Sequence, residues 1–113
     1  MSLIHGRIKI HIKEARKLQD KDWNPLDWSG KYDVSDPYVT GMLGNLKLFK
    51  TRYIKNELNP KWDTHYNVYV CHSAHYLKIK VKDKDAFGLD DSLGEVTIKA
   101  EDLITGKVVI SCY

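Results

Sequence analysis

Apolar residues recur at every second position in two stretches of the chain. Ile8, Ile10 and Ile12 alternate with Arg7, Lys9, His11 and Lys13, and Leu77, Ile79 and Val81 alternate with Lys78, Lys80 and Lys82. A period of two places one set of side chains on each side of a β-strand, so both stretches predict strands with one apolar and one basic face. Tyr66, Val68 and Val70 repeat the pattern, and Tyr38 to Leu43, Leu46 to Ile54, Leu93 to Lys99 and Lys107 to Tyr113 have strand composition. Gly44-Asn45, Asn59-Pro60, Phe87-Gly88 and Thr105-Gly106 supply turns between them. Seven short strands with no helical stripe, repeat or linker predict an all-β antiparallel sandwich, one domain over residues 1–113. Met1 to Leu3 read as an addition to the native sequence.

Composition narrows the class. At 113 residues the chain can bury one modest core, and 42% hydrophobic with 29% charged residues excludes disorder. No apolar run nears the ~20 residues of a membrane-spanning helix. Two cysteines, Cys71 and Cys112, are too few for a disulfide scaffold, which predicts an intracellular setting. The net charge of +3 hides an uneven distribution, since eleven of the fifteen acids are Asp. Asp favours turns and metal loops over helix surfaces. Two windows, Asp22 to Asp36 and Asp83 to Asp91, hold eight Asp against Lys31 and Lys84, a local −6 against +9 elsewhere.

Both windows fall between predicted strands. Loops at one end of a sandwich cluster, so the two sets of carboxylates converge if they share an end. Converging carboxylates repel by about 1 kcal/mol per pair at ~4 Å in water, and more at lower dielectric. A hard divalent cation relieves that repulsion, and calcium takes about 6–8 oxygen ligands. A solvated acidic surface is the plainer reading of the same windows.

Several segments, in order, resemble those of C2 domains. Gly6-Arg7-Ile8-Lys9-Ile10 and Glu14-Ala15-Arg16-Lys17-Leu18 resemble the first strand and its exit, and Ser35-Asp36-Pro37-Tyr38-Val39 is the most specific match. Lys50-Thr51, Asn59-Pro60-Lys61-Trp62, Val81-Lys82-Asp83-Lys84-Asp85 and Asp91-Ser92-Leu93-Gly94-Glu95 follow. The resemblance implies an eight-stranded antiparallel Greek-key β-sandwich. Seven strands are counted, so either the eighth lies beyond Tyr113 or Lys107 to Tyr113 is the last and a short one precedes it. The stretch from Val70-Cys71-His72-Ser73-Ala74-His75 through Asp102-Leu103 to Gly106-Lys107-Val108-Val109 is similar to the C2 domain of plant-type phospholipase D. That similarity implies the type II, permuted strand order, which novel protein kinases C share.

The resemblance implies two or three calcium ions held by Asp22, Asp36, Asp83, Asp85 and Asp91. The first loop is longer than the family pattern, so Asp22 is placed by its distance from Leu18, with Asp33 and Asp27 as substitutes and Asp90 as a further candidate. It also implies calcium-dependent docking to anionic phospholipid, with phosphatidylserine and phosphoinositide as candidate lipids, by a monomeric domain that moves from cytoplasm to membrane. Trp23, Leu26 and Trp28 in the first loop, and Phe87 and Leu89 in the third, are candidates for entering the membrane interface; packing within the loops is the alternative. Lys50, Arg52, Lys78, Lys80 and Lys82 offer a basic face for anionic lipid, or an ordinary solvated one.

Other classes fit poorly. An EF-hand loop over Asp83 to Gly94 would place Phe87 and Gly94 where oxygen ligands are required. Cys71, His72 and His75 lack a fourth zinc ligand at local spacing. No nucleic-acid module supports binding through the lysines. There is no Gly-x-Ser-x-Gly elbow or phosphate loop, and His11-Ile12-Lys13 is followed by Leu18 where phospholipase D catalysis needs Asp. The expected chain is a targeting domain, not an enzyme, with any chemistry elsewhere in a parent phospholipase or kinase. The runner-up is a calcium-independent C2 module for protein or phosphoinositide contact.

Overall fold

The computed structural model describes residues 1–18, 35–84 and 90–104. These form six strands and one short helix: β1 (Ser2–Glu14), β2 (Pro37–Leu43), β3 (Leu46–Lys50), β4 (Lys61–Ala74), β5 (Tyr76–Asp83), β6 (Asp91–Lys99) and α1 (Ala100–Ile104). Every pairing is antiparallel. One sheet has β1 beside β4, and the other runs β3-β2-β5-β6. The expected all-β antiparallel fold is therefore present. The seventh expected strand, Lys107 to Tyr113, lies outside the described residues.

The two sheets meet through their alternating apolar faces. Ile4 and Val70 from β1 and β4 join Leu43, Leu77 and Ile98 from the other sheet in one buried cluster. Val39, Phe49 and Trp62 form a second, backed by Ile10, Ile12, Tyr66 and Val81. Leu48 and Ile79 touch both clusters, so the core is continuous. Burying each such side chain stabilises by about 1.5–3 kcal/mol. Trp62 stands at the start of β4, as a core anchor there should, and its indole N–H donates to the Arg52 carbonyl at 3.1 Å.

Three irregularities depart from simple alternation. The β2–β3 register slips between Gly41 and Met42, giving β3 one extra residue, and Leu48 and Phe49 in sequence both pack inward. The β1–β4 register slips between Ile12 and Glu14, leaving the extra residue on β4, where Asp63 adopts φ 43°. A third slip sets Lys82 opposite Ser92 after Val81 opposite Gly94. Bulges of this kind bend a strand and re-aim its side chains. The third strand also stops at Lys50 instead of reaching Ile54. Thr51 marks the exit: its N–H still donates to the Val39 carbonyl at 2.8 Å, but its hydroxyl takes the place of a backbone acceptor for Val39 N at 2.8 Å and donates to the Arg52 carbonyl at 3.0 Å. The five-residue α1 has no sequence periodicity to reveal it. Ala100 is fully buried there, and Leu103 packs on the first cluster.

Gly41 faces Phe49 across the β2–β3 ladder, and the Phe49 ring lies over it before stacking on Tyr66 of the other sheet at 4.8 Å. A Cβ at position 41 would lie 2.2 Å from the Phe49 ring. Gly41→Ala should therefore cost about 1–3 kcal/mol through displacement of that ring. Chemical denaturation should show a lower midpoint with an unchanged slope.

Candidate metal centre

The β2–β5 ladder sets Pro37 opposite Asp83, and the β5–β6 ladder sets Asp83 opposite Asp91. These two pairings place one end of each acidic window beside the other. Asp36 N donates to Asp83 Oδ1 at 2.8 Å, and Lys84 N donates to the Asp36 carbonyl at 3.0 Å. Asp83 is 3% exposed, Asp36 half-buried and Asp91 exposed. Asp36 Oδ1 also accepts from Asn56 N at 2.7 Å, with Asn56 in the left-handed region at φ 54°. Asn tolerates that conformation better than most residues.

The segment from Thr51 to Pro60 closes the same end. Ala15 N donates to the Pro60 carbonyl, Leu18 N to the Leu58 carbonyl and Glu57 N to the Ser35 carbonyl, each at 3.0 Å. Lys17 N donates to Asn59 Oδ1 at 2.9 Å. The segment thus ties the exit of β1 to the approach to β2. Ser35, Pro37 and Pro60, at the corners of this frame, are fully buried.

Among the proposed ligands, the ladders bring Asp36, Asp83 and Asp91 to one end of the sheet with Asp90 next to Asp91 in sequence, but among the described residues these carboxylates do not gather into a cluster within reach of a single ion. Asp22, Asp27, Asp33 and Asp85 lie outside the described residues, as do Trp23, Leu26, Trp28, Phe87 and Leu89. The described carboxylates are hard oxygen donors, which fits a calcium-type ion. Four ion pairs are found among the described residues, at His11–Asp63, Arg16–Glu14, Lys78–Glu95 and Lys80–Glu95, and none uses Asp36 or Asp83. Those two carboxylates instead take backbone N–H donors.

Tyr38 was not among the candidates, yet it positions Asp90. Its hydroxyl donates to Asp90 Oδ2, and the Lys50 ammonium sits 5.0 Å from the centre of its ring. Lys50, Thr40, Lys80 and Glu95 form a row across four strands, with Lys78 and Lys82 on the same face. Arg52 lies beyond the end of β3, so strand geometry does not align it with Lys50. Cys71 is exposed and His72 pairs with Asn45 Oδ1 at 2.9 Å, so the Cys71, His72 and His75 seed forms no metal cluster among the described residues.

Burial pushes the Tyr38 phenol up to about 12, and the Asp90 hydrogen bond and charge add to the rise. A raised folded-state value means that this stabilisation is complete below the ordinary 10.0 and is lost as pH climbs through about 12. Tyr38→Phe should cost about 1.5–3 kcal/mol at neutral pH, the range for a hydrogen bond to a charged group. It should also flatten the alkaline limb of a stability-versus-pH curve measured by urea denaturation.

Comparison with known proteins identifies this arrangement. The family model described as C2 domain matches residues 6–113. Phospholipase D delta of Arabidopsis thaliana is 38% identical over 93% of the chain, which spans 16% of that protein. Extended synaptotagmin-3 of Xenopus tropicalis is 39% identical over 95% of the chain, which spans 12% of it. A structure of two C2 domains of extended synaptotagmin 2 with calcium bound superposes with a TM-score of 0.72. It is 32% identical, and the match covers 92% of this chain and 38% of that one. With its antiparallel sheets, its acidic loop ends side by side and a family match from Gly6 to Tyr113, the chain belongs to the C2-domain family.

Proposed function

We propose that this chain is a calcium-dependent membrane-docking domain of a larger protein. The observation that carries the reading is the juxtaposition of Asp36, Asp83 and Asp91 at one end of the sandwich by the β2–β5 and β5–β6 ladders. A calcium-bound structure among the similar proteins supports it. Asp36, Asp83 and Asp91 would hold two or three ions together with Asp85 and one first-loop acid, Asp22 first among them. Asp83 Oδ1 accepts from Asp36 N, and the carboxylate keeps further lone pairs for a cation. When bound, calcium supplies the positive charge that turns an anion-repelling surface into an attracting one.

The rest falls to the chain's own residues. Before docking, the carboxylates repel anionic phospholipid. Trp23, Leu26, Trp28, Phe87 and Leu89 supply apolar contact once the loops meet the interface. Lys50, Arg52, Lys78, Lys80 and Lys82 add attraction for phosphatidylserine or phosphoinositide. The domain works as a monomer, peripheral to the cytoplasmic side of a membrane. It is a targeting domain with no catalytic role, and a parent such as a phospholipase would carry the chemistry elsewhere. Among the described residues, no helix is long and apolar enough to cross a membrane.

Co-sedimentation with phosphatidylserine-containing vesicles should occur in calcium and be lost in chelator. Equal binding in both would favour the calcium-independent module. Asp36→Asn with Asp85→Asn should abolish the difference while leaving the fold intact, because an amide oxygen at position 36 can still accept from Asn56 N. In a separate measurement, free calcium at ~100 times its dissociation constant should add about 2.7 kcal/mol of stability, seen as a higher melting temperature. The doubly substituted protein should show no such rise.

A further inference from the structure

Histidine and aspartate side chains meet on the outer face of the β1–β4 sheet. His11 and His65 are direct partners in the β1–β4 register, and their rings stack with centroids 3.9 Å apart and planes 12° from parallel. Asp63 precedes His65 by two residues on the same face, and its Oδ1 lies 2.6 Å from His11 Nε2. An ionised carboxylate only accepts, so Nε2 carries the shared proton. That hydrogen bond is the chief reason the Asp63 carboxyl lies below its ordinary range. One ligand atom from each of the three side chains lies within 4.8 Å of the others, and all three residues are exposed.

We propose that His11, Asp63 and His65 form a site for a divalent transition metal of the zinc class. Two imidazoles and one carboxylate suit zinc, whereas calcium prefers oxygen ligands throughout. Ligands about 2.0 Å from a tetrahedral ion lie about 3.3 Å from one another, so a spread of 4.8 Å closes with modest rotation of exposed side chains. The ion replaces the proton between His11 Nε2 and Asp63 Oδ1, and the neutral imidazole then carries its proton on Nδ1. Three protein ligands leave one position on the ion for water or an exogenous ligand.

The backbone supplies the preorganisation. Both histidines stand within their strands, one pair from the bulge on a pairing that runs from Ser2–Ala74 to Glu14–Lys61, and sites on strands are held more precisely than sites on loops. Asp63 owes its position to the bulge, where φ 43° is a conformation that Asp adopts more readily than most residues. Its carboxylate is 75% exposed, so burial gives no reason for its placement. The site differs from the loop carboxylates in ligand chemistry, with two imidazoles where the loops offer oxygen donors.

Cobalt(II) binding to the metal-free chain tests the proposal directly. Cys71→Ser and Cys112→Ser should be present throughout to exclude thiolate ligation. A visible absorption band of tetrahedral cobalt should appear at one equivalent, be removed by one equivalent of zinc and persist in excess calcium. His11→Ala and His65→Ala should each weaken zinc binding by more than the about 10–100-fold that loss of an outer-shell partner costs. His5→Ala, on the same strand face, should change nothing. In parallel, zinc should shift the His11 and His65 imidazole resonances of the otherwise unaltered chain in NMR spectra, a readout that needs no ligand substitution. Absence of the cobalt band, or zinc binding undiminished in His11→Ala, would overturn the assignment.

Discussion

The pairing of β2 with β5 is the constraint on which the acidic end depends. Pro37 opposite Asp83 fixes where two segments far apart in sequence emerge from the sheet. A slip of one residue would turn Asp83 and Val81 to the wrong faces together, burying lysines and exposing the core. The apolar pattern that drives β5 into the sandwich therefore also sets the position of its carboxylates. Hydrogen bonds then finish the alignment, with Asp36 N on Asp83 and Lys84 N on the Asp36 carbonyl. Backbone donors hold the acidic side chains in place.

The core beneath explains why that alignment is firm. Trp62 and Val39 belong to the cluster nearest the acidic end, and Phe49 links the sheets through Tyr66. The bulge in β3 directs both Leu48 and Phe49 inward, which strict alternation would forbid. Gly41 leaves the space the Phe49 ring occupies. Thr51 then releases the chain from the sheet edge at the right point to reach the loop frame around Asn56 and Pro60. Packing and turn chemistry thus cooperate over a few residues, and the loops inherit their geometry from both.

Much of this was legible in the sequence. Alternation of isoleucine and lysine identified β1 and β5, because a half-buried strand repeats every two residues. Ser35-Asp36-Pro37-Tyr38 and Asn59-Pro60-Lys61-Trp62 were legible because turn chemistry and a core anchor sit at adjacent positions. The bulges were not, since an extra residue on one strand is defined by its partner. Nor was the meeting of His11 with His65. The two residues are 54 positions apart, and only the β1–β4 register makes them neighbours. Local spacing drew attention to Cys71, His72 and His75 instead, yet strand geometry sends Cys71 and His72 to opposite faces. Tyr38 reads in sequence as part of a motif, while its reach to Asp90 needs the folded sheet.

Glu95 has a consequence for how positive charge is distributed over the outer face of the four-stranded sheet. It stands 3.8 Å from the Lys78 ammonium and 3.9 Å from that of Lys80, acting as counter-ion to both. Lys82 has neutral Tyr38 and Ser92 as its ladder partners, and Lys50 caps the Tyr38 ring. Lys50 and Lys82 therefore stand beside the acidic loop ends without a carboxylate of the sheet opposite them, while Lys78 and Lys80 share Glu95.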